Sequence, residues 1–226
     1  MGGAGRHYSS TQKGQVLGHS LFQALYVLAG RQYPLPPKMY LTQSACEKHE
    51  QPFLSEIDLA VNTITDFQAA EQTITHVLAD SWFVCSKLWK ACKRRDFDIS
   101  GGLKCSRCMR LPQEGKSVYV RLNQYAASLT AEQFTECVWP SVAGDSPVFM
   151  HWVRTFVRKV GACQAVIVRP SADASLKQTR YFVSSLLEAD RDASGCSGDP
   201  CHLLEWLKQA FQSGNAPTEM IERLAA

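Results

Sequence analysis

The sequence predicts an α+β domain, and three observations predict it. Several segments carry apolar residues at helical spacing. Others alternate like half-buried strands. Their order along the chain (helices, strand, helix, hairpin, helix) matches no βαβ series. With 226 residues, 45% of them apolar and 20% charged, the chain can bury a substantial core.

Residues 1–13 read as a flexible leader, followed by one domain over 14–226. Leu17, Leu21, Ala24, Leu25 and Leu28 recur at helical spacing and predict a largely buried first helix. Gly30 and the run Tyr33-Pro34-Leu35-Pro36-Pro37 stop it, and residues 38–54 are polar and irregular. Ser55 opens a second helix, with Glu56 and Asp58 favouring its positive end. The stripe Ile57, Val61, Ile64, Phe67, Ile74, Val77 and Leu78 carries that helix to about Asp80.

Val118 to Leu122 alternates as a strand, and Thr130 with Gln133 forms a capping-box pattern for a short helix. Ser146-Pro147 opens what reads as the central helix, with the wide apolar face Val148, Phe149, Trp152, Val153, Phe156, Val157 and Val160. Gly161 is placed to end it. Gln164–Arg169 is a strand halted by Pro170, and Arg180–Ser184 is its antiparallel partner across a turn of about ten residues. Asp199-Pro200 starts a last amphipathic helix carrying Leu203, Leu204, Trp206, Leu207 and Phe211 over 200–211.

The net charge of +3 is too small to indicate nucleic acid by itself, but its distribution is uneven. From Cys85 to Arg110 there are eight basic residues (Lys87, Lys90, Lys93, Arg94, Arg95, Lys104, Arg107, Arg110) against Asp96 and Asp98. The nine cysteines are an odd number and mostly scattered. No signal-peptide core follows Met1, and no apolar run approaches the roughly 20 residues of a membrane helix. A reducing compartment, nucleus or cytoplasm, is therefore expected, with no membrane partner.

Cys105-Ser106-Arg107-Cys108 is a CxxC knuckle inside the basic stretch, and two thiolates at this spacing suit a tetrahedral zinc ion. Cys85 and Cys92 would complete the site if the chain folds back. The competing reading puts Cys85 and Cys92 against a core and the knuckle in a surface turn. The basic residues likewise suit either a polyanion such as nucleic acid or a solvated cationic face. No nucleophile motif, P-loop, dinucleotide fingerprint or HExxH pair is present, so no enzymatic activity is expected.

The segment Leu25-Tyr26-Val27-Leu28-Ala29-Gly30-Arg31-Gln32-Tyr33-Pro34-Leu35-Pro36 resembles a segment of HORMA-fold proteins, closest to the comet-type spindle-checkpoint adaptors. The similarity extends loosely to the helix at 55–80, to Ser128–Phe134 and to Phe149–Arg158 in the place of that family's central helix. The resemblance implies a HORMA-like antiparallel sheet backed by about three helices. It also implies a non-enzymatic adaptor that binds a HORMA-domain partner through the central helix and presents it to a hexameric remodelling ATPase in checkpoint silencing. By position, Trp152, Val153, Arg154 and Phe156 fall in the implied interface, with Gly30 and Arg31 at its edge. The basic Cys-rich stretch at 85–110 is an insertion relative to that pattern, and the helix at 200–211 stands where final strands would be. The alternative expectation is a zinc-stabilised module that binds nucleic acid or another polyanion through the basic segment.

Overall fold

The computed structural model describes residues 5–9, 12–29, 31–71, 74–113, 116–139 and 146–186. These divide into two compact units, one ending at Phe67 and one beginning at Gln68. The predicted last helix at 200–211 lies outside the described residues.

The first unit is a set of hairpins with two helices. Strand β1 (Gly5–Ser9) pairs antiparallel with β2 (Gly14–Gly18), so the stretch expected as a leader carries a strand. Strands β3 (Ser20–Phe22), β4 (Leu25–Leu28), β5 (Arg31–Pro34) and β6 (Lys38–Tyr40) form nested pairs, β3 with β6 and β4 with β5. The predicted first helix is thus corrected to strands. Its five leucine and alanine positions fit a 3.6-residue period, but Gly18 interrupts the run and Leu17 and Leu21 face solvent.

Helix α1 (Gln43–Lys48) follows, and then α2 (Glu56–Asp66), which begins where Ser55 predicted. Ser55 Oγ accepts from the Asp58 N–H at 3.2 Å while Asp58 accepts from the Ser55 N–H at 3.0 Å, a reciprocal capping box. The helix ends one residue before Phe67, whose extended backbone turns its ring edge-on to Tyr26 at 4.9 Å. The apolar stripe that predicted a helix to Asp80 continues as a strand instead.

The second unit is one eight-stranded, mostly antiparallel sheet. Its strands are β7 (His76–Ala79), β8 (Asp98–Gly102), β9 (Cys108–Gln113), β10 (Lys116–Arg121), β11 (Thr135–Trp139), β12 (Ser146–Val157), β13 (Gly161–Arg169) and β14 (Arg180–Ser184). The order is β10-β9-β12-β13-β14-β8-β7, with β11 beside the start of β12. Only β7 and β8 run parallel, joined through α3 (Ser86–Arg94). Helix α4 (Leu122–Ser128) and a 3₁₀ turn at Ala131–Gln133 follow β10, and the Thr130 N–H donates to Gln133 Oε1 as the capping pattern predicted. The hairpin of β13 and β14 also matches its prediction, in the register Val166↔Phe182.

The predicted central helix at 147–160 is corrected to β12. Met150, Trp152, Arg154 and Phe156 face one side of the sheet, and His151, Val153, Thr155 and Val157 face the other, each opposite its partner on β13. Seven of the ten positions from Val148 to Val157 are apolar, so a period of 2 fits as well as 3.6, and β-branched and aromatic residues favour the strand. A tight turn with Lys159 at φ 62° and Gly161 at φ 143° returns the chain into β13.

Helices α3 and α4 pack on one face of the sheet. A Cβ on Gly161 would stand 3.6 Å from the Trp89 ring of α3, and one on Gly101 would meet Val84 just before that helix. His151 Nε2 hydrogen-bonds Tyr125 of α4 at 2.9 Å, and its Nδ1–H donates to Gln133 O. Arg169, buried on the same face, donates to the Ala126 and Ala172 carbonyls and lies 4.4 Å from the Phe134 ring centroid. The opposite face carries the apolar cluster of Cys137, Met150, Val166 and Val168, with Val148, Trp152, Phe182 and Leu186 packed against it. Beside that cluster, Ser100 links His76 and Ser184 by hydrogen bonds of 2.9 and 2.8 Å across β7, β8 and β14. No helix among the described residues is long and apolar enough to cross a membrane.

Candidate polyanion-binding face

Strand β12 is longer than the cluster that covers it. Met150 and Trp152 belong to the core, whereas Arg154 and Phe156, two and four residues past Trp152, reach beyond it on the same face. There β12 gains a new neighbour, with Val157 opposite Met109 of β9, and the Arg158 N–H donates to Cys108 O at 2.9 Å. Thr155 Oγ1 donates to Arg110 O at 2.5 Å across the same seam. The β9–β10 hairpin places Tyr119 opposite Arg110 and Arg121 opposite Cys108.

The result is a cationic and aromatic patch on three neighbouring strands. The Arg110 guanidinium lies 5.6 Å from the Phe156 ring centroid, and that of Arg158 lies 4.7 Å from Tyr119. Arg110, Arg121, Arg154 and Arg158 are exposed, and Tyr119 is 42% exposed. No Asp or Glu occurs in β9, β10 or β12. Among the described residues no carboxylate pairs with any of these four arginines. Lys104 makes a further cation–π contact with exposed Trp82, 5.4 Å from its ring centroid. Such contacts orient a guanidinium without neutralising it, so its field stays available to an anion.

The predicted partner-binding residues of β12 do not share one side of the sheet. Arg154 and Phe156 join this patch, Trp152 packs into the apolar cluster, and Val153 faces the helix-covered side. Arg31 is exposed at the start of β5 in the first unit, and Gly30 lies outside the described residues.

The four cysteines proposed for zinc are placed differently from one another. Cys92 is fully buried in α3, where desolvation pushes its thiol up to about 12 and disfavours the thiolate a metal needs. Cys85 immediately precedes α3, Cys105 is exposed in the turn closed by the Arg107 N–H to Lys104 O bond, and Cys108 opens β9. No group of three or more His, Cys, Asp or Glu side chains that could hold a metal ion occurs among the described residues. The donor set therefore does not fit a tetrahedral zinc site.

Neither Tyr119 nor Arg158 figured among the sequence candidates. Tyr119 sat in a predicted strand without a known neighbour, and Arg158 in a predicted helix. Only the strand register brings them together. No family model matches the chain, and no curated protein matches it.

Proposed function

We propose that the second unit is a binding module for polyanions, nucleic acid foremost, acting through the patch of Arg110, Arg121, Arg154, Arg158, Tyr119 and Phe156. The observation that carries this is the set of four exposed arginines without carboxylate partners among the described residues, two of them seated on aromatic rings. A merely solvated basic surface would be expected to intersperse acids among its cations. Phosphate contacts from such arginines release counterions, which makes the affinity steeply salt-dependent. Heparin chromatography tests the proposal: the chain is retained, and Arg110→Ala with Arg158→Ala elutes at clearly lower salt. Elution of both proteins in the flow-through sinks it.

The HORMA-type adaptor stands as a second proposal, favoured by a different observation. In the first unit, around the Arg31–Pro36 segment of the resemblance, Val27, Tyr33 and Met39 are exposed apolar or aromatic residues. The contact surface would then lie on these hairpins, because the segment expected as the central helix is β12. The HORMA-domain partner, the remodelling ATPase and a HORMA identity for the sheet rest on the sequence resemblance. Co-purification with a HORMA-domain protein, lost on Tyr33→Glu, is the expected result. Absence of any complex at micromolar concentrations counts against it.

A further inference from the structure

We infer that the ligand of this face is a single-stranded nucleic acid whose unpaired bases stack on Tyr119 and Phe156 while the arginines hold its phosphates. The inference rests on the polyanion reading above and names the ligand class.

Two rows of side chains cross the three strands. In one row Tyr119 of β10, Arg110 of β9 and Phe156 of β12 are neighbours, through the Tyr119↔Arg110 pair and the cation–π contact of Arg110 with Phe156. In the next row Arg121 and Arg158 flank Cys108, whose carbonyl accepts from the Arg158 N–H. Aromatic side chains thus alternate with cations along the strands, at a repeat of about 7 Å for every second residue. Arg154 extends the cationic margin of β12 past Phe156.

This layout suits bases better than a double helix. In a duplex the π-faces of the bases are buried against one another, and only groove edges and phosphates are presented. The patch spans three paired strands of one sheet, broader than the helix or two-stranded ribbon that a major groove admits. A ring standing on a sheet meets a base face only where that base is unstacked, as in sheet-based single-strand binders. Aromatic rings would also be superfluous for a ligand that is only sulfated or phosphorylated. The Arg158 guanidinium over Tyr119 adds a second planar, cationic surface to the same stack.

The test is fluorescence anisotropy of the full chain with four probes: a dye-labelled oligothymidylate and an oligouridylate of about 20 nucleotides, long enough for one site, a duplex of the same length, and heparin as competitor. Tyr119→Ala should weaken oligothymidylate and oligouridylate binding by about 5- to 150-fold, the range for one lost base–aromatic stack. Tyr119→Phe should restore it, and displacement by heparin at low salt should hardly change. Equal loss with both oligomers leaves the sugar unread, whereas loss with one alone assigns the site to DNA or to RNA. Duplex binding as tight as single-strand binding, with Tyr119→Ala without effect on either, overturns the inference and leaves the polyanion reading standing. No binding to any probe overturns both.

Discussion

Arg110 of β9 lies 5.6 Å from the ring centroid of Phe156 on β12, and this contact joins the basic cysteine-rich stretch to the far end of the longest strand. Two segments that look unrelated in sequence meet there as one surface. The arginine is held by the ring and by strand pairing rather than by a carboxylate, so its charge remains directed outward.

Replacing Arg110 with Ala should therefore weaken binding more than it affects folding. One lost phosphate contact lowers the slope of log affinity against log salt by about 0.7 for a single strand. The thermal melt should move little, since the side chain is exposed. A fall in melting temperature without a change in slope would assign Arg110 to packing.

Arg169 is the structural counterpart of these exposed cations. It is 6% exposed, donates to Ala126 O at 2.7 Å and to Ala172 O at 3.1 Å, and covers the Phe134 ring. It thereby fastens the end of α4, where a cation is favoured by the helix carbonyls, to the edge of β13. Arg169→Met should destabilise the chain by about 2–4 kcal/mol in urea unfolding, because two carbonyls lose their donor. Oligonucleotide affinity measured well below the melting temperature should stay the same.

Gly101 sits where the parallel pair of β7 and β8 approaches α3. A Cβ there would stand 2.2 Å from Ala79 O and 2.6 Å from Val84 Cγ2, and the first of these is backbone that cannot step aside. Gly101→Ala should cost about 3 kcal/mol or more, at the upper end of overpacking in a core. Gly18→Ala, with nothing within 4 Å of the new methyl, is the control and should be nearly silent. Equal melts for the two variants would contradict the close packing of Ala79 and Val84 against β8.

The buried thiols give a pH signature. Burial pushes Cys92 and Cys163 up to about 12 from the ordinary value of 9.0. Between those values the unfolded chain has lost both protons and the folded chain still holds them. Stability therefore falls as pH rises above 9, by about 1.4 kcal/mol per unit for each thiol, and is unaffected by these groups below it. Denaturant melts from pH 8 to 10.5 with Cys92→Ala and Cys163→Ala check this, since each variant should flatten the decline. At pH 8 a thiol reagent should modify exposed Cys105 well before either buried thiol.

The hairpin of β13 and β14 and the starts at Ser55 and Thr130 were legible because local chemistry decides them. Pro170 ends a strand by itself, and a Ser55–Asp58 pair caps a helix whatever surrounds it. The segment at 146–157 was not legible. With apolar residues on both sides of the strand, it satisfies both periods, and its strand state is decided by pairing with Gly161–Arg169. The same holds for the patch. Arg110 and Arg154 are visible as charges in sequence, but the adjacency of Tyr119, Arg110 and Phe156 is a matter of register. Leu17–Leu28 failed for another reason, since strands this short owe their state to hairpin turns such as the one at Ala29, with φ 50°.

The central claim is most directly tested by measuring oligothymidylate affinity across a salt series for the native chain and for Arg110, Arg121, Arg154 and Arg158 changed together to Gln. The native chain should bind with log affinity falling linearly with log salt, and the fourfold variant should lose nearly all of that binding while keeping its melt. Identical, salt-insensitive curves for the two proteins would contradict the claim.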